Sequence, residues 1–312
     1  MRWYDKYKGL VRRVRLGYRV ANLLQYSKLV RNKPVYEKFG LKRSVVSPLS
    51  HRILQNANLK PEQDRPEAPN RSEFFGLSAS QLKTQFDERG FVVIPSALLE
   101  MADGINAEIE RLLNEEKVGF NFTGTKIVFA NKESELIKGV TLHEELVDLL
   151  GFLLDRPVHP FQTINFMYGS EQAAHSDSIH MSTYPEGNLT AAWIALEDVS
   201  EEQGALFYYP GSHKLPYIYN EDLVLSENAL LLDVNPNKKY EQKVEQLLQE
   251  NDLDLEIFHA KKGDVLIWHP NLLHGGLPHT DRSRTRKSMV VHYFGEGVIC
   301  YHELTQRPAI LA

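Results

Sequence analysis

The apolar positions change their rhythm roughly halfway along the chain. From Trp3 to Leu24 they recur at helical spacing, at Trp3, Tyr7, Leu10, Val14, Tyr18, Ala21 and Leu24, and basic residues fill much of the remaining wheel. That pattern predicts an amphipathic helix. Residues 48–75 hold Pro48, Pro61, Pro66 and Pro69 among mixed polar residues and read as a linker or wrapping arm without regular structure. A compact domain starts near Leu77. Ser78 can cap a helix running through Asp87, and Phe91-Val92-Val93-Ile94, closed by Pro95, is a strand. A second helix is expected from Ser96, with Leu98, Leu99, Ile105, Ile109, Leu112 and Leu113 on its buried face. A third runs from His143 to Leu154 and ends before Pro157.

Beyond residue 160 the period shortens. Phe161–Tyr168, Ala191–Leu196, Ala205–Tyr209, Asp264–Trp268 and Lys287–Phe294 are β-rich runs. Gly204, Pro210-Gly211, Lys262-Gly263-Asp264 and Gly275-Gly276 punctuate them. Helices first and evenly spaced strands later predict an α+β chain with a mainly β core. The expected architecture is a double-stranded β-helix (a cupin-like jelly roll) carrying a supporting layer of helices and an N-terminal helical extension. The division is residues 1–75 for the basic extension and linker, and 76–312 for the jelly-roll domain. Segment 214–258 interrupts the strands with polar, acidic and helical sequence, as lids and recognition loops do.

Composition changes this picture little, since 42% hydrophobic and 25% charged residues are ordinary for a globular domain. Charge placement changes it more. Residues 1–48 carry 13 Lys/Arg against Asp5 and Glu37, a net of 13 − 2 = +11, so the remainder of the chain carries −5 − 11 = −16. The basic part is suited to an anionic partner: a membrane surface, a nucleic acid, or the acidic body of the same chain. Arg12, Arg13, Arg15 and Arg19 break up any secretory h-region, no run of about 18 apolar residues occurs, and the C-terminal Pro308–Ala312 is not a peroxisomal Ser-Lys-Leu-type address. A lone cysteine, Cys300, excludes an internal disulfide and suits a reducing compartment, so a cytoplasmic setting is expected.

The candidate chemistry is concentrated in His175-Ser176-Asp177. In an extended strand, residues i and i+2 share a face, so one imidazole and one carboxylate project together. A histidine from another strand would complete a 2-His-1-carboxylate set of the kind that holds Fe(II) on one face. His274 lies beyond the strand Asp264–Trp268 and precedes Gly275-Gly276, while His269, His279 and His292 fall nearby and compete for attention. Arg286 follows, and its planar fork suits a carboxylate.

With these residues in place the chain resembles the phytanoyl-CoA dioxygenase-like family of Fe(II)/2-oxoglutarate oxygenases. The resemblance spans roughly residues 78–295 and rests on blocks in the family's order. They are Phe86–Pro95, His175-Ser176-Asp177, Ala192–Val199, Gly204-Ala205-Leu206 leading to Pro210–Lys214, Lys262-Gly263-Asp264, His274-Gly275-Gly276 and Arg286-Lys287-Ser288. It implies iron held by His175, Asp177 and His274, and Arg286 gripping the distal carboxylate of 2-oxoglutarate. Arg282 and Arg284 compete for that grip, and Arg286 is preferred because Arg286, Ser288 and Val290 alternate onto one strand face. Trp193 matches a position beside the cosubstrate, and Gln172 is a candidate donor to its keto-acid end. His213 reads better as a structural hydrogen-bonding residue.

The activity implied consumes O2 and 2-oxoglutarate, hydroxylates an aliphatic C–H of a small-molecule or lipid-linked substrate, and releases succinate and CO2. Related halogenases replace the carboxylate by a small residue, so Asp177 favours hydroxylation. Two other classes compete: a non-catalytic jelly-roll binding protein, which predicts a damaged ligand set, and a hydroxylase of a macromolecule. The net acidic catalytic portion argues against nucleic acid. Residues 1–48 are the candidate for peripheral membrane contact.

Overall fold

Alternation along each β-rich run sorts side chains onto two faces, and the fold uses both. A computed structural model describes residues 14–24, 33–41, 48–57, 67–121, 123–223, 231, 233 and 235–309. In chain order the helices are α1 (Arg15–Leu24), α2 (Lys33–Lys38), α3 (His51–Asn56), α4 (Ala79–Arg89), α5 (Leu99–Asn114), α6 (Glu135–Thr141), α7 (Glu144–Leu153) and α8 (Pro236–Asn251). The strands are β1 (Glu73–Phe74), β2 (Leu77–Ser78), β3 (Phe91–Ile94), β4 (Lys126–Val128), β5 (Val158–Phe166), β6 (Ser182–Tyr184) and β7 (Leu189–Ala195). They continue with β8 (Leu206–Tyr208), β9 (Glu256–Phe258), β10 (Val265–Trp268), β11 (His274–Gly276), β12 (Ser288–Gly295), β13 (Ile299–His302) and β14 (Arg307–Pro308).

Six strands form an antiparallel sheet in the order β3-β10-β7-β12-β5-β4, and β11-β8-β9 forms a smaller sheet. One face of the large sheet, with Val92, Ile194, Ile267, Val291 and Tyr293, buries against α4–α7 through Leu82, Ile105, Leu112, Val140 and Leu149. The opposite face, with Phe91, Trp193, Leu266, Trp268 and Val290, packs on Leu206, Tyr208 and Phe258 of the smaller sheet. This is the jelly roll with its helical layer. The cleft between the two sheets is where a site can form.

Several boundaries differ from the expectations, each for a local reason. The second long helix starts at Leu99, not Ser96, because Ser96 sits at φ 54 and its main-chain N–H donates to Asp264 Oδ1 at 2.9 Å. Ser78 occupies the N-cap of α4 but makes no capping bond. The stretch 48–75 is not wholly irregular: it contains α3, capped by Ser50 Oγ accepting from the Ile53 N–H, and β1. A six-residue helix leaves too short a periodic trace to read. Its existence rests on tertiary docking, since Tyr36, Phe39, Leu41, Leu49 and Leu54 bury against Ile299 and Tyr301. Of the helix expected over Trp3–Leu24, residues 1–13 lie outside the described residues, and α1 covers the remainder.

A polar latch holds α3 to the body. Glu303, 1% exposed, accepts from the main-chain N–H groups of His51 (2.9 Å) and Asn220 (3.2 Å). The His51 ring stacks on Tyr219 with centroids 4.0 Å apart and pairs with Glu186 at 2.8 Å. Burial above all, with the charge of Glu221 adding, pushes the Glu303 carboxyl up to about 7 against the pull of those N–H groups. For His51, burial acts to lower the value, but the bond and charge of Glu186, with Glu303 and Glu221, leave it raised. A group whose folded value lies above its unfolded one stabilises in acid and loses that contribution as pH rises through the folded value. Glu303 therefore weakens the latch as pH rises from about 4.5 through about 7, by on the order of 3 kcal/mol, and His51 adds to the loss above its ordinary imidazole range. Glu303→Gln is expected to flatten this fall, read as the denaturant midpoint of the full chain against pH.

Candidate metal centre

The residues that face the cleft come from six separate stretches of the chain, between Lys126 and His292. His175 and His274 exchange main-chain hydrogen bonds, N to O, at 2.9 Å in each direction, so one rung of antiparallel pairing sets them opposite each other. Asp177 follows at the start of a 3-10 turn, Asp177–Ile179, and not within a strand as its spacing suggested. Ser176 is fixed between them because its N–H donates to the Tyr240 hydroxyl of α8 at 2.6 Å.

The His175 and His274 Nε2 atoms each lie 4.0 Å from Asp177 Oδ1, and ligand atoms of the three residues fall within 4.8 Å of one another. Each imidazole engages a main-chain carbonyl through Nδ1, His175 with Ala173 O (2.9 Å) and His274 with Leu272 O (3.0 Å). Nδ1 then carries the proton, and the Nε2 lone pairs point at the shared space, as metal ligation requires. Electrostatics agree with that donor set. Burial lowers both imidazoles, His175 to about 3, so they are neutral. Burial would raise Asp177, yet His274, His292 and His175 together hold its carboxyl well below the usual range, so it is charged. Two neutral nitrogens and one carboxylate are the protonation states a divalent cation binds.

Gly275, directly after His274, matters for this approach. A Cβ there would lie 2.5 Å from Phe207 Cζ and 2.6 Å from Gln172 O, so only glycine lets the Phe207 ring of β8 and the Gln172 carbonyl close against β11, the strand that presents His274.

Arg286 is 2% exposed, donates to Ser288 Oγ at 3.0 Å and lies 5.1 Å from the Trp193 ring centre. Burial lowers its guanidinium to about 10. Among the described residues, Arg286 Nε and Trp193 Nε1 are buried with no hydrogen-bond partner. Gln172 lines the same cleft, its side-chain carbonyl accepting from Lys126 Nζ at 3.0 Å. The competing arginines lie elsewhere: Arg282 pairs with Glu171 at 2.7 Å, and Arg284 donates to Ser200 Oγ, both at the surface. His269 and His279 do not line the cleft, and His213 Nε2 meets the Asp87 carbonyl at 3.1 Å beneath Gly90.

Two residues of the cleft, Lys126 and Trp268, had no role assigned from the sequence, and His292 was noted only as a neighbour of His274. Lys126 projects into the cleft from β4. Trp268 Nε1 donates to Asp177 Oδ2 at 2.8 Å, and His292 Nε2 lies 3.4 Å from the same oxygen. The alternation Arg286, Ser288, Val290 points to His292 as its next member, so that signal was available.

Fold and cleft together define a jelly roll that brings two imidazoles, one carboxylate and a buried guanidinium to the space between its sheets. Residues 86–286 match the family model described as phytanoyl-CoA dioxygenase, and the chain belongs to that family. Among curated relatives, the peroxisomal phytanoyl-CoA dioxygenase of Rattus norvegicus is 30% identical over 129 residues, covering 40% of this chain and 33% of that one. The chain spans 33–38% of the length of the first curated relatives it matches. Among solved structures, apo EctD from S. alaskensis has a TM-score of 0.59 at 17% identity, covering 81% of this chain and 90% of that one. The epimerase SnoN in complex with Fe3+, alpha ketoglutarate and nogalamycin RO has a TM-score of 0.54 at 19% identity, covering 71% and 85%. At these identities the likeness is one of fold.

Proposed function

We propose that the chain is an Fe(II)- and 2-oxoglutarate-dependent dioxygenase that hydroxylates an aliphatic C–H of a small-molecule or lipid-linked substrate. The overall change converts the C–H, O2 and 2-oxoglutarate into the alcohol, succinate and CO2. One observation carries the reading: His175 Nε2, Asp177 Oδ1 and His274 Nε2 converge in a cleft whose far wall is the buried, largely unpaired Arg286. Bound ferrous iron would supply the redox chemistry with dioxygen. His175, Asp177 and His274 would hold it. Arg286 would take the distal carboxylate of the keto acid through paired N–H bonds, with the Trp193 ring against it, and Lys126 adds a second positive charge for a dianionic ligand. Gln172 would donate to the keto-acid end once its amide turns from Lys126. The apolar walls, Ile164, Phe166, Leu206 and Val290, exclude water. The test is succinate release from 2-oxoglutarate by the full chain with Fe(II). The reading fails if the chain neither binds 2-oxoglutarate in the presence of Fe(II) nor releases succinate.

The surface of α1 favours an added contact with a membrane. Leu16, Val20, Leu23 and Leu24 are all exposed and fall within about a third of the helix circumference, in a part of the chain with net charge +11. No helix of the described residues is long and apolar enough to cross a bilayer, so the contact would be peripheral. Replacing Leu16, Leu23 and Leu24 with serine is expected to lower binding to anionic vesicles by at least about tenfold, measured by co-sedimentation of the full chain. The buried, reduced Cys300 and a ferrous cofactor both suit a cytoplasmic, reducing setting.

A further inference from the structure

The two oxygens of Asp177 have different surroundings. Oδ1 faces the Nε2 atoms of His175 and His274, each at 4.0 Å. Oδ2 faces away from them, accepting from Trp268 Nε1–H at 2.8 Å with His292 Nε2 at 3.4 Å. Trp268 and His292 stand on β10 and β12, the strands on either side of β7, and both point to the cleft side of the large sheet. Neither side chain is free to move: they are 2% and 3% exposed. The Trp268 ring also lies 4.6 Å from that of His274.

Building on the reading of this cleft as an Fe(II)/2-oxoglutarate site, we propose that Trp268 and His292 are positioning residues. They occupy the outer oxygen of Asp177, so that the carboxylate offers a cation one oxygen and not two. The consequence is a matter of counting. A carboxylate is free to bind a cation through one oxygen or both, and the second mode uses a coordination position. With His175, His274 and one oxygen of Asp177 as ligands, an octahedral ion keeps three positions, enough for a bidentate keto acid and dioxygen. If Oδ2 joined, one of these would be lost. The indole N–H at 2.8 Å and the His292 ring nitrogen at 3.4 Å thus both stand against the same oxygen.

The experiment uses the full chain under anaerobic conditions with Co(II), then Fe(II) and 2-oxoglutarate, on Trp268→Phe, His292→Leu, the double variant and His292→Gln. Phenylalanine and leucine keep bulk but remove the N–H, while glutamine restores a donor. In the double variant, Co(II) affinity is expected to stay within about threefold of the parent, and its visible absorption to change as coordination rises. 2-Oxoglutarate affinity for the Fe(II) protein should fall by on the order of tenfold or more, and the charge-transfer band of that complex should shift. His292→Gln should return both signals toward the parent. Unchanged spectra and cosubstrate affinity in the double variant would overturn the proposal. So would outright loss of Co(II) binding in both single variants, since it would mean that these groups merely hold Asp177 in place. A parent that binds neither metal nor 2-oxoglutarate would instead overturn the functional reading on which the proposal rests.

Discussion

Arg286→Leu is expected to raise the 2-oxoglutarate concentration needed for half-maximal binding by on the order of a hundredfold, while making the ligand-free protein more resistant to heat. The first effect follows from losing two charge-assisted hydrogen bonds to a carboxylate, each worth about 1.5–3 kcal/mol. The second follows from burial. The guanidinium is 2% exposed, its described hydrogen bond is to the neutral Ser288 hydroxyl, and burial depresses it to about 10. A buried cation without a close anionic partner costs stability, and a leucine of similar reach removes that cost. A melting scan with and without 2-oxoglutarate reads both. The parent should gain stability on adding the keto acid and the variant should not. A variant that melts lower than the parent and still responds to the ligand would show that the arginine serves packing alone.

Asp177→Ala is expected to abolish succinate formation, with a loss of about a thousandfold or more, and to remove high-affinity Fe(II) binding. It deletes the one negative charge among the three ligands and leaves two neutral imidazoles facing each other, so several kcal/mol of cation binding disappear. The Trp268 indole N–H loses its acceptor as well, which costs about 1–3 kcal/mol of folding stability. Anaerobic Fe(II) titration with a melting scan separates the two effects. Iron affinity close to that of the parent would remove Asp177 from the ligand set.

The large sheet was legible because strands buried on both faces read as short, near-continuous apolar and β-branched runs bounded by turn signals. Runs such as Ala191–Leu196 and Lys287–Phe294 fell within a few residues of β7 and β12. The jelly-roll class followed from their number and spacing. Short elements were not legible. α3 and the 3-10 turn at Asp177 are decided by the Ser50 cap and by Glu303 and the Tyr240 hydroxyl, whose hydrogen bonds to these segments span 252 and 64 residues, more than any window of sequence contains. The same holds within the cleft. Arg286 could be picked from its strand parity, and His292 could have been by the same parity, whereas Lys126 on its three-residue strand has no periodicity to betray it. Trp268 read simply as the end of an apolar strand, because its hydrogen bond spans 91 residues.

The reciprocal main-chain bonds between His175 and His274 carry a consequence for how such a centre can drift. Two ring nitrogens tied through a ladder rung inherit their separation from peptide geometry, so neither residue needs an unusual rotamer to meet its counterpart. A slip of a single position would turn one ring to the far side of its strand and put Leu273 or Gly275 opposite His175. Insertions and deletions near this rung are therefore expected to come in pairs of residues, whereas the loops beyond it are free to change length one residue at a time.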